Sequence, residues 1–341
     1  MLVLTHPRSG STEICRIVEK CLTPRNTPRA LSELFNIDDR TVFGNLTDAV
    51  RFFELKNTSP ITVSVLKMVT DVPPKVVADF NYYVPENITF NSEDEISKWY
   101  ASEAAKRVAM LELFDSYGNF YIVKHFIGYH DSYKQLNNDL IRSYAMKNKL
   151  ILSYRRNISE SVFSALVKTY YFDRPRAQAG TNPKDDSFHN QIIGDAHNLH
   201  DMPPIEPLPI EIGTGELIVG AIGPILRLFK CYHQLVEESV DFKNIIVYED
   251  MMESGQLTLT YQGETKLYNL DSLRPRLIGI IDKNGNKKDV VEKKMNYGNL
   301  SKEDYFVNSH IVSDMIVQEV NNIEEELPGF KATLDRLRVI Y

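Results

Sequence analysis

Several features are scarce in this 341-residue sequence, and each scarcity removes a class of protein. Only three cysteines occur, Cys15, Cys21 and Cys231. Their spacing builds neither a disulfide framework nor a metal cluster, which suits a reducing compartment. No run approaches the roughly 18 apolar residues of a membrane-spanning helix. Basic residues are not in excess either: 39 Lys and Arg stand against 46 Asp and Glu, a formal net charge of -7. That balance excludes a general binder of nucleic acid or anionic membrane, which needs a broad basic face. It leaves room for a local basic pocket around one small anion. The opening MLVLTHPRSGST has too short an apolar run for a signal peptide. The acceptor-like triplets at Asn45, Asn87 and Asn299 then have no secretory route, and the expected location is cytoplasmic. Fixed-period repeats and heptads are absent.

What is present is a chain that can bury one large core, with 43% hydrophobic residues. A single α/β domain over residues 1–341 is expected. Residues 2–5 form a short apolar run ending in a polar turn. Behind it Ile14, Ile17, Val18, Cys21 and Leu22 recur at helical spacing. Further strands are predicted at residues 61–68, 120–123, 150–154 and 244–248. Helices are predicted at 96–117, 131–149, 159–172, 216–240 and 309–326, with a kink expected at Gly223-Pro224. This alternation implies a mostly parallel central sheet flanked by helices on both faces. Ligands of such sheets sit at the carboxyl ends of the strands, here after Thr5, Val123 and Tyr154. Residues 173–215 carry six prolines and no core-facing pattern, so they are expected to form a lid or insert bordering the site. His189, His197 and His200 fall in that stretch, without the spacing of an ordered metal site. Residues 255–292 alternate around Lys283-Asn284-Gly285-Asn286 and predict a β-hairpin addition.

The segment Thr5-His6-Pro7-Arg8-Ser9-Gly10-Ser11-Thr12 has the physics of an anion cradle. Gly10 admits close backbone approach, and the first N–H groups of the following helix have no intrahelical partner. Ser9, Ser11 and Thr12 add hydroxyls, and Arg8 adds a forked positive charge. Taken alone, the same residues describe a plain capped helix equally well. A Walker A loop needs an earlier Gly and a Lys before its Ser or Thr. Both are missing, which counts against a P-loop kinase using ATP and Mg²⁺.

The segment resembles the 5′-phosphosulfate loop of sulfotransferases, T-x-P-[KR]-S-G-[ST]-T, at Thr5, Pro7, Arg8, Ser9, Gly10, Ser11 and Thr12. Glu13 stands where the animal cytosolic branch often has Trp, so the likeness is to bacterial or phage types instead. The family's 3′-phosphate signature is an Arg at a later strand end and a Ser eight residues on. Arg156 and Ser164, after the strand 150–154, have that separation. Residues 244–251, NIIVYEDM, are similar to the family's Y-E-D-[LM] strand end, where the Tyr borders the adenine; Tyr248 has that place. Glu249 and Asp250 are read as caps of the next helix. Lys293 and Lys294, with Gly298, loosely follow a late loop that closes over the 3′-phosphate; a solvated lysine pair explains them as well.

The resemblance implies a P-loop-like sulfotransferase fold and 3′-phosphoadenosine 5′-phosphosulfate (PAPS) as donor, with PAP as product. It implies no metal, since amides and cationic side chains stabilise the charge. Arg8, Ser9, Gly10, Ser11, Thr12, Arg156, Ser164 and Tyr248 would bind the cofactor, and Arg8 would also stabilise charge during transfer. The base expected after the strand 120–123 is His125, beside Lys124, with His130 or a carboxylate as alternatives. An imidazole near neutral pKa can take the acceptor's proton. The acceptor class stays open among carbohydrate, lipid, peptide and small alcohol or phenol, as does the oligomeric state. The competing readings are a catalytically silent nucleotide-binding module on the same fold and, less well supported, the P-loop kinase.

Overall fold

The computed structural model describes residues 1–22, 60–68, 83–116, 122–127, 131–167, 211–213, 215–270, 277–281, 287–291 and 303–341. The chain begins with β1 (Leu2–Thr5) and α1 (Ser11–Leu22), then β2 (Ile61–Met68), β3 (Tyr83–Phe90) and α2 (Glu93–Ser116). It continues through β4 (Val123–Phe126), α3 (Asp131–Met146), β5 (Leu150–Tyr154) and α4 (Ile158–Val167). After α5 (Gly215–Glu237) come β6 (Ile245–Val247), α6 (Tyr248–Ser254), β7 (Gln256–Tyr261) and β8 (Glu264–Asn269). The remaining elements are β9 (Leu277–Ile281), β10 (Lys287–Val291), α7 (His310–Glu326) and α8 (Phe330–Arg336).

Four strands make the central parallel sheet in the order β4-β1-β5-β6. All four residues of β1 are buried, as suits a strand paired on both edges and covered on both faces. Alternation then sorts its side chains. Val3, with Ile151 and Ile246, packs against Ile14, Ile17 and Val18 of α1 and Leu257 and Leu259 of β7. Leu2 and Leu4, with Leu150, Leu152 and Tyr154, join the larger core built by α3, α4, α5, α7 and α8. Tyr154 packs edge-on against Phe229, ring centroids 5.4 Å apart. Its hydroxyl donates to the Leu337 carbonyl at 2.7 Å, so the last helix is tied to the centre of the sheet.

The strand at 61–68 is found where it was predicted, but it does not join the parallel sheet. It pairs antiparallel with β3, Ile61 opposite Phe90 and Met68 opposite Tyr83. Sequence reading overlooked β3, because Pro85 within Tyr83–Phe90 argues against an interior strand; in a two-stranded pair every strand has a free edge. The addition expected at residues 255–292 comprises two antiparallel pairs, β7 with β8 and β9 with β10. The first turns at Gln262-Gly263, both with positive φ (51° and 82°). Residues 283–286, expected as the turn of the second, lie outside the described residues. Pro224 sits inside α5, which continues through it as one helix. The 173–215 segment is outside the described residues except for 211–213 and 215, as are Lys293, Lys294 and Gly298. Among the described residues no helix is long and apolar enough to cross a membrane.

Asn244 fastens the β7–β8 hairpin to the sheet. Its side-chain amide donates to the carbonyls of Thr260 (2.9 Å) and Leu150 (3.3 Å), and its Oδ1 accepts from the Thr260 amide at 2.7 Å. The residue is only 2% exposed, so truncation strands buried partners. Asn244→Ala is expected to lower the unfolding free energy by about 1–3 kcal/mol in urea titration. An unchanged midpoint would mean that water replaces all three bonds.

Candidate functional site

In this sheet β1 connects outward to β4, and the chain then returns past β1 to β5. The order of connection therefore reverses between β1 and β5, and the crevice above their carboxyl ends is where ligands of open parallel sheets bind. Both segments singled out from the sequence converge there: the loop after Thr5 and the arginines after Tyr154.

The loop is held from inside. Thr5 Oγ1 and Ser9 Oγ lie 2.8 Å apart, and Ser9 Oγ donates to the His6 carbonyl at 2.7 Å. Thr5 and Ser9 are buried, so Ser9 acts as a brace within the loop. Gly10 supplies the helix cap: its carbonyl accepts from the amides of Glu13 (2.9 Å) and Ile14 (3.1 Å). A glycine cap has no side-chain oxygen to offer the first N–H groups of α1, and Ser9 is turned the other way. Among the described residues the amides of Ser11 and Thr12 meet no acceptor and are available to one from outside. Arg8 and Gly10 both have positive φ, 64° and 77°. For arginine this left-handed conformation is uncommon. For Gly10 the demand is also steric, because a Cβ there would overlap Cε2 and Cδ2 of Tyr248. Arg8 is exposed, Ser11 is buried at the start of α1, and Thr12 follows it in the first turn.

His6 was read from the sequence only as a member of the loop, yet it is the loop's link to β5. It is fully buried, with its ring 6.4 Å from that of Phe229. Its Nδ1 lies 2.8 Å from the Pro7 carbonyl, and its Nε2 receives the Arg155 amide at 3.3 Å. An acceptor at Nε2 and a carbonyl at Nδ1 fit one neutral tautomer, with the proton on Nδ1. Burial pushes the pKa down to about 4; the nearby Arg155 charge works in the same direction, against the Pro7 carbonyl. Nothing in the sequence marks this histidine as buried except its place one residue beyond an apolar strand.

Arg155 and Arg156 leave β5 with different partners. The Arg156 amide donates to Glu249 Oε2 at 2.9 Å, and its guanidinium pairs with Asp250. Glu249 and Asp250 lie in the first turn of α6, whose N-cap Val247 forms no side-chain cap bond; the carboxylates expected to cap the helix are directed to Arg156. Arg155 instead places its guanidinium 4.9 Å over the ring of Tyr248. Tyr248 is buried at the first residue of α6, one position beyond β6. Ser164 lies half-buried in α4. The amino end of α4 is closed by the protein itself: Asn157 Oδ1 accepts from Glu160 at 3.2 Å, and the Ile340 carbonyl from Ile158 at 3.0 Å.

His125 occupies a different position from the one expected. The strand predicted at 120–123 is β4, Val123–Phe126, so Lys124 and His125 are inside it and not beyond its end. They face opposite sides. Lys124 is in register with Val3, and its Nζ lies 5.3 Å from the Phe126 ring centroid. His125 is in register with Leu4, fully buried, on the face of the larger core. His130, His189, His197 and His200 lie outside the described residues. Among the described residues no three His, Cys, Asp or Glu side chains gather as a metal site would require.

Fold and site together define an α/β protein with a four-stranded parallel sheet and polar loops at the strand ends where its order reverses. Compared with family models, curated proteins and solved structures, the chain matches none.

Two expectations follow from the loop. His6 stays neutral in the fold but protonates in the unfolded chain near its ordinary value of about 6.5. The unfolded state therefore binds the extra proton between about pH 6.5 and 4, and His6 lowers stability as pH falls through that window. The loss is on the order of 3 kcal/mol at pH 4, and His6→Gln should flatten the pH profile of urea unfolding. Gly10→Ala should displace Tyr248, seen as a changed tyrosine ring signal in NMR spectra together with reduced stability.

Proposed function

We propose that this protein is a sulfotransferase that transfers the sulfuryl group of PAPS to an acceptor hydroxyl or amine. The observation that supports the reading is the placement of the glycine-capped start of α1 and of Arg156 beyond the carboxyl ends of the adjacent strands β1 and β5. Two phosphate-bearing positions of one nucleotide would occupy them, the 5′ group on Gly10, Ser11 and Thr12 and the 3′-phosphate on Arg156 and Ser164. Tyr248, packed beneath Gly10, would border the nucleotide. The Arg156–Asp250 pair is no obstacle, because Asp250 is half exposed and exposed pairs contribute only about 0–1 kcal/mol. Arg8, exposed in the loop, would supply positive charge to the bridging oxygens as negative charge develops there. In-line transfer breaks the sulfur–oxygen bond to PAP and forms one to the acceptor, whose proton passes to a base.

The silent nucleotide-binding module on the same fold is favoured by one observation, the enclosure of His125 within β4. A histidine base there would need the larger core to open on its side. His130 and a carboxylate remain the other assignments for the base, and the acceptor remains of unassigned class.

Calorimetry with PAP and AMP tests the donor. Arg156→Ala should lose roughly 1.5–3 kcal/mol of PAP binding and with it the preference for PAP; equal weakening of both ligands moves the 3′-phosphate elsewhere. Labelled PAPS with an acceptor panel, followed by mass analysis, tests the transfer. On an acceptor so found, His125→Ala should cut turnover roughly 10²–10⁴-fold with PAP affinity unchanged. Normal turnover in His125→Ala and loss in His130→Ala would assign the base to His130. Normal turnover in both would point to a carboxylate.

A further inference from the structure

Arg155 is the one arginine at the crevice to which no ligand has been assigned. The two arginines just beyond β5 both meet the first turn of α6 but with different partners: Arg156 is engaged by the carboxylates of Glu249 and Asp250, whereas Arg155 is directed to Tyr248. Three elements hold Arg155 in place. Its amide is bonded to His6 Nε2 in the loop, its backbone continues β5, and its guanidinium rests on the ring of Tyr248 at the start of α6. That same ring lies directly against Gly10. The guanidinium and the glycine cap of α1 thus both pack on the ring of Tyr248.

The placement leaves hydrogen-bonding capacity unused. Arg155 Nε is buried with no partner, and among the described residues no carboxylate forms an ion pair with Arg155. A π face attracts the charge but accepts none of the five guanidinium N–H groups in the plane. A buried donor without an acceptor is costly, and an anion reaching it would relieve that cost. Two features select an anion: the positive charge of Arg155, and the adjoining amides of Ser11 and Thr12 at the start of α1.

We propose that Arg155 is a second anion-binding arginine of the crevice, gripping the phosphate or sulfate ester group seated at Gly10. Its role as the 5′-side contact, opposite Arg156 on the 3′ side, rests on the nucleotide reading above. His6 and Tyr248 are its positioning residues, one fixing the backbone and the other the guanidinium.

The test is calorimetry of the full chain with PAP, adenosine 3′-monophosphate and inorganic pyrophosphate, with melting temperatures recorded for each variant. Arg155→Gln should bind PAP and pyrophosphate about ten- to a hundredfold more weakly, the effect of losing a charged hydrogen bond. Binding of adenosine 3′-monophosphate, which has no 5′ group, should change less than threefold. Arg155→Lys keeps the charge without the fork and should fall between; it decides the matter if the glutamine variant does not fold. Tyr248→Leu should reproduce the loss and Tyr248→Phe should not. Equal affinity of folded Arg155→Gln and wild type for PAP overturns the proposal, as does equal weakening of PAP and adenosine 3′-monophosphate. If the wild type binds no PAP, the nucleotide reading fails by itself. Arg155 as an anion site then stands only if pyrophosphate binds and Arg155→Gln abolishes that binding, and it falls if pyrophosphate does not bind.

Discussion

The pairing of β1 with β5 sets the terms for everything around it. β1 is only four residues long and has strands on both sides, so its amides and carbonyls are committed to the sheet and its side chains to the two cores. Leu2 also receives support from outside the strand, its amide donating to the Lys149 carbonyl at 2.8 Å. A chain leaving so short and so enclosed a strand has to turn at once, and the residues that make the turn must solve their own hydrogen bonding in the interior. Thr5, His6 and Ser9 do this with one another and with Arg155. Had β1 been an edge strand, solvent would serve the same groups, and the loop would need no internal brace.

The distribution of charge across the crevice follows from that enclosure. On the loop side the buried ring of His6 carries no charge at neutral pH, and the exposed cation is Arg8. Beyond β5 the two arginines divide: one meets carboxylates at the surface and the other an aromatic ring in a drier setting. The amino ends of α1 and α4 are equally unlike. The first has a glycine cap with no side chain, whereas the second is closed by Asn157 and Ile340. The strand-to-helix turns after the neighbouring strands β1 and β5 thus have opposite characters, one capped by a glycine without a side chain and one closed by Asn157 and Ile340.

Much of the scaffold was legible in the sequence. The apolar runs at Leu2–Thr5 and Leu150–Tyr154 coincide with β1 and β5, because buried parallel strands read as unbroken apolar runs and turn residues bound them sharply. β4 was displaced by three residues: Phe120 to Val123 is the more apolar window, but pairing with β1 recruits Lys124, His125 and Phe126. That shift turned a residue expected beyond the strand into one enclosed by the core. The loop and Arg156 were identified from local spacing. Arg155, His6 and the contacts of Leu337 and Ile340 were not, since they depend on segments far apart in sequence. Tyr154 and Leu337 are 183 residues apart, and no window of local periodicity connects them. Partnership of β2 with β3 was hidden for a different reason, a proline that local rules place outside interior strands.

The tie at Ile340 has a consequence for how the molecule is made. Ile340 donates its amide to the Arg156 carbonyl at 2.8 Å and gives its own carbonyl to the amide of Ile158, a parallel bridge with Asn157. These bonds fix the turn that carries Arg156 away from β5. A ribosome that has completed the four sheet strands, α1 and α4 has still not supplied this bridge, because Leu337 and Ile340 are translated long afterwards. The growing chain therefore holds its loop and both arginines before it holds the strut that sets the second of them.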